Sequence, residues 1–302
     1  MKLGTRGSRL ARWQADWVQV RLAERGVAVA IEIIKTTGDA EVDRPLHELE
    51  GKGFFTKEIE AALLAGRIDI AVHSLKDLPT SLPPGLALAA IPARHDPREA
   101  LISREGAAHS ILGLAPGSRV GTSSLRRITQ LQFLRPDITV VPLRGNVPTR
   151  VRKVRNGEGC DAALLALAGL ERLGLSEGAV SIEPLDVMPA PGQGALGLEI
   201  RADDGATRDA LLPLGDPASA QAVEAERELL AALGGGCQAP VAAYAGSREH
   251  GAGSRLYGRV TASDGSVQLT ASADIDPERP RAAGETVARL LEAQGAASLL
   301  AR

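Results

Sequence analysis

Aromatic side chains are nearly absent: Phe, Trp and Tyr make up 2% of this 302-residue chain. A surface that stacks nucleic-acid bases is therefore not expected. The core has to be built from Leu, Val, Ile and Ala, within a hydrophobic content of 44%. Net charge is also close to nil, −2 from 35 Lys and Arg against 37 Asp and Glu, which argues against a uniformly basic nucleic-acid binder. Cysteine is scarce. Cys160 and Cys237 form no disulfide framework, and no Cys/His spacing resembles a zinc site. No apolar run reaches the roughly 18 residues of a membrane span. Met1-Lys2-Leu3-Gly4-Thr5-Arg6 lacks the apolar stretch of a secretory leader. These absences predict a soluble, cytoplasmic protein without membrane or nucleic-acid partners, long enough for two or three domains.

What charge there is lies unevenly. Between positions 119 and 155, eight arginines and Lys153 face the single acid Asp137. Strand and helix patterns alternate through the first 200 residues, which predicts α/β units with mainly parallel sheets. Apolar runs at 27–34, 68–72, 86–91, 138–141, 162–166 and 195–200 read as strands. Leu10, Trp13, Trp17 and Val20 recur at helical spacing and predict one buried helix face. Polar clusters follow several strands, where open α/β sheets bind ligands. One is Thr36-Thr37-Gly38-Asp39, another His73-Ser74-Leu75-Lys76-Asp77-Leu78-Pro79. A third, Gly121-Thr122-Ser123-Ser124-Leu125-Arg126-Arg127, is a glycine and hydroxyl cap opening a helix with two arginines in its first turn. Cations there oppose the helix dipole, so an anionic ligand is the reading that accounts for them. The proline-bearing stretches 93–99 and 189–194 read as crossings between two units.

After Pro217 the texture changes. A run of helix formers ends near Leu233, and Gly234-Gly235-Gly236-Cys237-Gln238-Ala239-Pro240 follows. Three glycines let the chain turn sharply and display the cysteine. Free cysteines are mostly small buried apolar residues, so the loop alone leaves both roles open. Strand patterns at 241–245, 256–262 and 267–273, the last two joined at Asp264-Gly265, and a helix at 286–294 predict a small antiparallel α+β unit.

In order and spacing, these motifs resemble the porphobilinogen deaminase (hydroxymethylbilane synthase) family. The match runs from Thr5-Arg6-Gly7-Ser8 through Gly51-Lys52-Gly53-Phe54-Phe55, the 73–79 and 121–127 clusters, Arg144-Gly145-Asn146-Val147 and Pro191-Gly192-Gln193-Gly194-Ala195 to the cysteine loop. Arg12 and Phe54 depart from the commoner residues. The resemblance implies two domains built like type II periplasmic binding proteins, at 1–95 with 193–213 and at 98–188, and a third at 216–302. It further implies a dipyrromethane cofactor held by Cys237 through a thioether. Four porphobilinogen units would be added stepwise with loss of ammonia, and hydroxymethylbilane released by hydrolysis. The family suggests a monomer.

The residues suit that chemistry. Each pyrrole carries an acetate and a propionate, which arginine grips bidentately. Arg6, Arg126, Arg127, Arg144, Arg150 and Arg172 are the expected partners, with Ser8, Thr122, Ser123 and Ser124 as hydroxyl donors and Lys52, Lys57 and Lys76 as further cations. By the family motif, Ser74, Lys76, Asp77, Thr122, Ser123, Arg126, Arg127, Arg144 and Gly145 hold the cofactor, and Phe55 and Gln193 belong with the substrate. Asp77 is the expected catalytic carboxylate, able to stabilise a developing pyrrole cation; the rivals Asp39 and Asp161 read as structural. No metal is expected. A non-enzymatic anion receptor of the same fold is the competing reading, although it has no use for the cysteine loop. A Cys-His hydrolase would need His73 beside Cys237, and nothing in the sequence places it there.

Overall fold

A computed structural model describes residues 1–36, 56–104, 110–236, 239–247 and 254–300. Asp39, Lys52, Phe54, Phe55, Cys237 and Gln238 lie outside the described residues. The chain forms two compact units, Met1–His95 with Gly194–Ala220, and Asp96–Gln193 with Gln221–Arg302.

The first unit is built on a five-stranded sheet, ordered β2 (Ala30–Ile33), β1 (Lys2–Thr5), β3 (Ile70–Ser74), β10 (Leu196–Arg201), β4 (Leu86–Ala90). β1 runs parallel to β2 and β3, whereas β10 is antiparallel to both β3 and β4. One face packs on the helix Arg9–Ala23 through Ala15, Val18 and Leu22, against Leu3, Ile70, Val72, Leu198 and Ile200. This corrects the expected helix face. Val20 is 55% exposed, and Trp13 and Trp17 sit at the margin, Trp13 edge-on to His95. Both stripes are apolar, and helical periodicity cannot choose between them. The other face packs on the helix Lys57–Leu64 through Ile59 and Leu63.

The second unit contains two sheets. The larger repeats the arrangement of the first unit, in the order β7 (Thr139–Val141), β6 (Arg119–Gly121), β8 (Ala162–Ala166), β5 (Glu99–Ser103), β9 (Ala179–Ile182). β6 is parallel to β7 and β8, and β5 is antiparallel to β8 and β9. In each five-stranded sheet a reversed strand, entered directly from a crossing segment, lies second from one edge. The expectation of mainly parallel sheets is corrected in this respect. β5 and β9 carried no clear strand pattern: β5 opens on a charged residue, and β9 is only Ala-Val-Ser-Ile.

The smaller sheet is an antiparallel meander of β11 (Val241–Ser247), β12 (Ser254–Thr261) and β13 (Gln268–Asp274). Gly265 turns the second hairpin at φ 72°. The helices Pro217–Ala232 and Pro280–Ala293 share a core with this sheet through Leu229, Val260, Val287 and Leu291. Two like-built α/β sheets and a small antiparallel α+β element thus match the layout that the resemblance implied. Among the described residues no helix is long and apolar enough to cross a membrane.

Candidate active site

In the first unit, β3 ends at Ser74 and the chain tightens into a single 3-10 turn, Leu75–Asp77. Leu75 is fully buried, its amide donating to the Ala195 carbonyl at 3.0 Å. Gly197 makes room for it, because a Cβ there would lie 2.6 Å from Leu75 Cδ1. The turn therefore holds Lys76 and Asp77, both half-buried, against a fixed point in the sheet. Ser74 Oγ accepts the Gln14 side-chain amide at 2.8 Å, which leaves the serine proton for another acceptor. Gln14 is a contributor that the sequence reading missed. Its signal was a polar residue on the stripe that turned out to be buried. Ser8 accepts the Ala11 amide and caps its own helix, and Arg6 is half-buried just before it. Lys57 is exposed at the start of its helix.

His73 turns to the opposite face of β3, where its Nε2 lies 3.0 Å from the Glu199 carboxylate of β10, both side chains buried. Glu60, on the helix packed over them, has its carboxyl pushed up, first by burial and then by the charge of Glu199. An acid whose folded pKa is raised keeps its proton in the native state while the unfolded state loses it. Stability then falls as pH rises above the unfolded value near 4.5. Glu60→Gln is therefore expected to raise Tm at neutral pH, with the advantage shrinking below that value, as thermal melts across pH would show.

In the second unit, β6 leads through Thr122-Ser123-Ser124 into the helix Leu125–Leu134. Ser123 Oγ donates to the Leu143 carbonyl at 3.1 Å and lies 3.2 Å from the Leu143 amide, joining this loop to the 143–146 loop. Buried Thr122 accepts the Ser124 amide. Ser8, Asn146 and Asp204 all cap their helices with side-chain hydrogen bonds, but Ser124 makes none. The start of the Leu125–Leu134 helix is thus not closed by its own cap, and it suits an anion. Gly145 has φ 109°, and a Cβ there would lie 2.8 Å from Thr149 Cγ2, so only glycine fits. The half-buried Arg144 flanks it, and Arg150 Nε donates to the Gly145 carbonyl at 2.7 Å.

The two first-turn arginines have a structural partner that sequence reading did not find. Glu99, fully buried on β5, takes two bonds from Arg127, at 3.0 and 2.7 Å, and one from Arg126 at 3.2 Å. Arg127 also donates to the Leu164 carbonyl. The argument that only a ligand accounts for these cations is corrected: a buried carboxylate, 27 residues before Arg126 in sequence, does so. Arg127→Leu would take two of the three charged bonds from that buried carboxylate, so a loss of about 3–5 kcal/mol in stability is expected by denaturant unfolding. Arg144→Leu, on the loop, is expected to stay within about 0.5 kcal/mol of the parent chain while raising KM for the substrate.

Arg172 is buried, and desolvation brings its guanidinium down to about 10. Gln193, also buried, donates to the Pro97 carbonyl at 2.8 Å and so staples the two crossing segments. Asp161 accepts the Arg119 amide at 2.8 Å, which with the Arg119 side chain holds its carboxyl below the usual range; this is a structural role. Cys160 is buried, and burial pushes its thiol up. On the approach to Cys237, the helix Pro217–Ala232 gives way to Gly234 at φ 64°, and the Ala239 amide bonds back to Gly236.

Residues 1–209 match the family model described as porphobilinogen deaminase, dipyromethane cofactor binding domain, and residues 220–293 match the C-terminal domain of the same family. The chain belongs to the porphobilinogen deaminase family. It is 46% identical over 303 residues to the porphobilinogen deaminase of Syntrophobacter fumaroxidans, covering 99% of this chain and 96% of that one. To that of Syntrophotalea carbinolica it is 47% identical, covering 100% and 95%. Among solved structures it is similar to a periplasmic substrate-binding protein of an ABC transporter from Coxiella burnetii, at 16% identity and TM-score 0.44, over 73% of this chain and 94% of that one. Family membership makes the Ser74–Asp77 turn, the 121–127 loop and the 143–146 loop the parts where the chemistry of this family is sought.

Proposed function

We propose that this chain is the transferase that joins four porphobilinogen units, with loss of one ammonia each, on a dipyrromethane held by Cys237, and releases hydroxymethylbilane by hydrolysis. The observation that carries the reading is the Leu75–Asp77 turn, which sets the half-buried Lys76 and Asp77 in succession at the end of a buried strand. The donors present suit the group. The Leu125–Leu134 helix has no side-chain cap, and arginines at 144 and 150 flank a glycine that brings the backbone close. Buried Cys160 is unsuited to attachment, which leaves Cys237. When bound, the cofactor supplies the free pyrrole end on which the product grows.

Asp77 is the catalytic residue in this reading. Its carboxylate would supply the negative charge that stabilises positive charge developing on a pyrrole ring. Lys76, Arg6, Arg144 and Arg150 pair with acetate and propionate groups, and Ser74 offers the hydroxyl proton that Gln14 leaves available. Arg126 and Arg127 present their helix start while anchored by Glu99, and Thr122 and Ser123 shape the loop before it. Arg172 and Gln193 support the site from within the second unit. Lys52 and Phe55 complete the substrate contacts by the family motif. By the family resemblance the chain is divided into domains at 1–95 with 193–213, at 98–188 and at 216–302. The enzyme works as a cytoplasmic monomer without nucleic acid, in keeping with its near-neutral net charge. Incubating purified protein with porphobilinogen tests the reading: four ammonia released per linear tetrapyrrole supports it, and binding without ammonia release favours an anion receptor.

A further inference from the structure

The 143–146 loop, which carries Arg144, is held at three successive carbonyls by side chains of its own unit. Ser123 Oγ donates to the Leu143 carbonyl at 3.1 Å and lies 3.2 Å from the Leu143 amide. From the helix Val147–Arg155, Lys153 Nζ donates to the Arg144 carbonyl at 3.4 Å and Arg150 Nε to the Gly145 carbonyl at 2.7 Å. Arg150 and Lys153 are three positions apart and so share one face of that helix. The far end of the loop is fixed by Asn146, whose Oδ1 accepts the Thr149 amide at 3.0 Å and caps the helix. Close packing fixes the near end. The Thr122 amide donates to the Val141 carbonyl at 2.9 Å, and a Cβ at Gly121 would lie 3.0 Å from Leu143 Cβ. A serine hydroxyl has one proton, and Ser123 gives it to the Leu143 carbonyl rather than to a ligand.

We propose that Ser123 and Lys153 are positioning residues for Arg144: they hold the backbone on either side of it, so that its guanidinium is aimed at a substrate carboxylate before the substrate arrives. This rests on the deaminase reading above, which pairs Arg144 with an acetate or propionate. The direction of a long side chain starts from its Cα–Cβ bond, and the peptide units before and after Arg144 set that bond. Both are pinned, one through the Leu143 carbonyl and the other through the Arg144 carbonyl. With Gly145 at φ 109° the chain leaves the extended form after Arg144, and these carbonyls take their partners from side chains. A two-bond arginine–carboxylate pair needs the flat fork to meet the carboxylate squarely. Neither Ser123 nor Lys153 touches the substrate in this arrangement; both act through Arg144.

The test uses the full-length enzyme, with cofactor loading counted by intact mass and steady-state constants for porphobilinogen expressed per loaded molecule. Ser123→Ala and Lys153→Met are each expected to raise KM by about tenfold, the share of a charge-assisted pair that a displaced partner forfeits. The kcat should stay within about twofold, as when binding rather than the chemical step is weakened. The deciding readout is each change made again in Arg144→Leu. There it should add less than about twofold, because the residue being positioned is gone. A lower Tm with unchanged KM would overturn the proposal and leave both residues merely structural. Losses that multiply with Arg144→Leu would overturn it in favour of direct contacts with the substrate. A rise in KM beyond that of Arg144→Leu itself, or failure to load where Arg144→Leu loads, would overturn it as well. An unaltered chain that carries no added mass would overturn the deaminase reading first, and this proposal with it.

Discussion

Cys237→Ser is expected to purify at the mass of its sequence, whereas the unaltered chain, made in a host that synthesises porphyrins, carries the added mass of two condensed pyrrole units. The loss of activity should be complete. Serine keeps the size of the side chain but has no thiolate, the species that forms such bonds. Cys160→Ser is the control. That thiol is buried between Gly121 and the helix Val147–Arg155, and burial disfavours its ionised form, so the variant should keep both the mass increment and turnover. The reading of Cys237 as the attachment point is overturned by an unmodified wild-type mass, or by an increment that survives Cys237→Ser.

Asp77→Asn is the second large effect. The Leu75–Asp77 turn is anchored by the Leu75 amide and by the space above Gly197, and the variant leaves both in place. It removes the one charge that this reading sets against the developing pyrrole cation. Losing a preorganised electrostatic partner costs roughly 10²–10³ in rate, so kcat should fall at least that far. Substrate should still load, because the arginines are untouched. Mass spectra taken during reaction should show a ladder of partly extended chains above the cofactor-bound mass. Asp77→Glu should recover part of the rate, since the charge survives at a shifted position. Wild-type turnover in Asp77→Asn would transfer the role to Asp39.

The sequence made the strand ends legible because glycines, hydroxyl residues and charges bunch where apolar runs stop. On that basis the 73–79 and 121–127 clusters were found before any geometry was known. The parts that stayed hidden each depended on distance in space. Glu99 looked like a linker charge, yet it lies fully buried beneath Arg126 and Arg127. Gln14 carried no mark in the sequence, yet its side-chain amide donates to Ser74 Oγ. Glu226 sat among helix formers and charges with nothing to mark it as the acceptor of the Gly192 amide.

Local patterning therefore determined what this chain is made of. It gave α/β units with an antiparallel tail, an arginine-rich stretch, a cysteine on a glycine loop, and a family whose motifs occur in order. Tertiary structure decided which apolar stripe of the helix Arg9–Ala23 is buried, which strand in each five-stranded sheet runs backwards, and which charges belong to the fold rather than to a ligand. The reason is physical. Propensity and periodicity act within a few residues along the chain, but the cost of burying a charge is offset only by a partner that the folded chain brings to it.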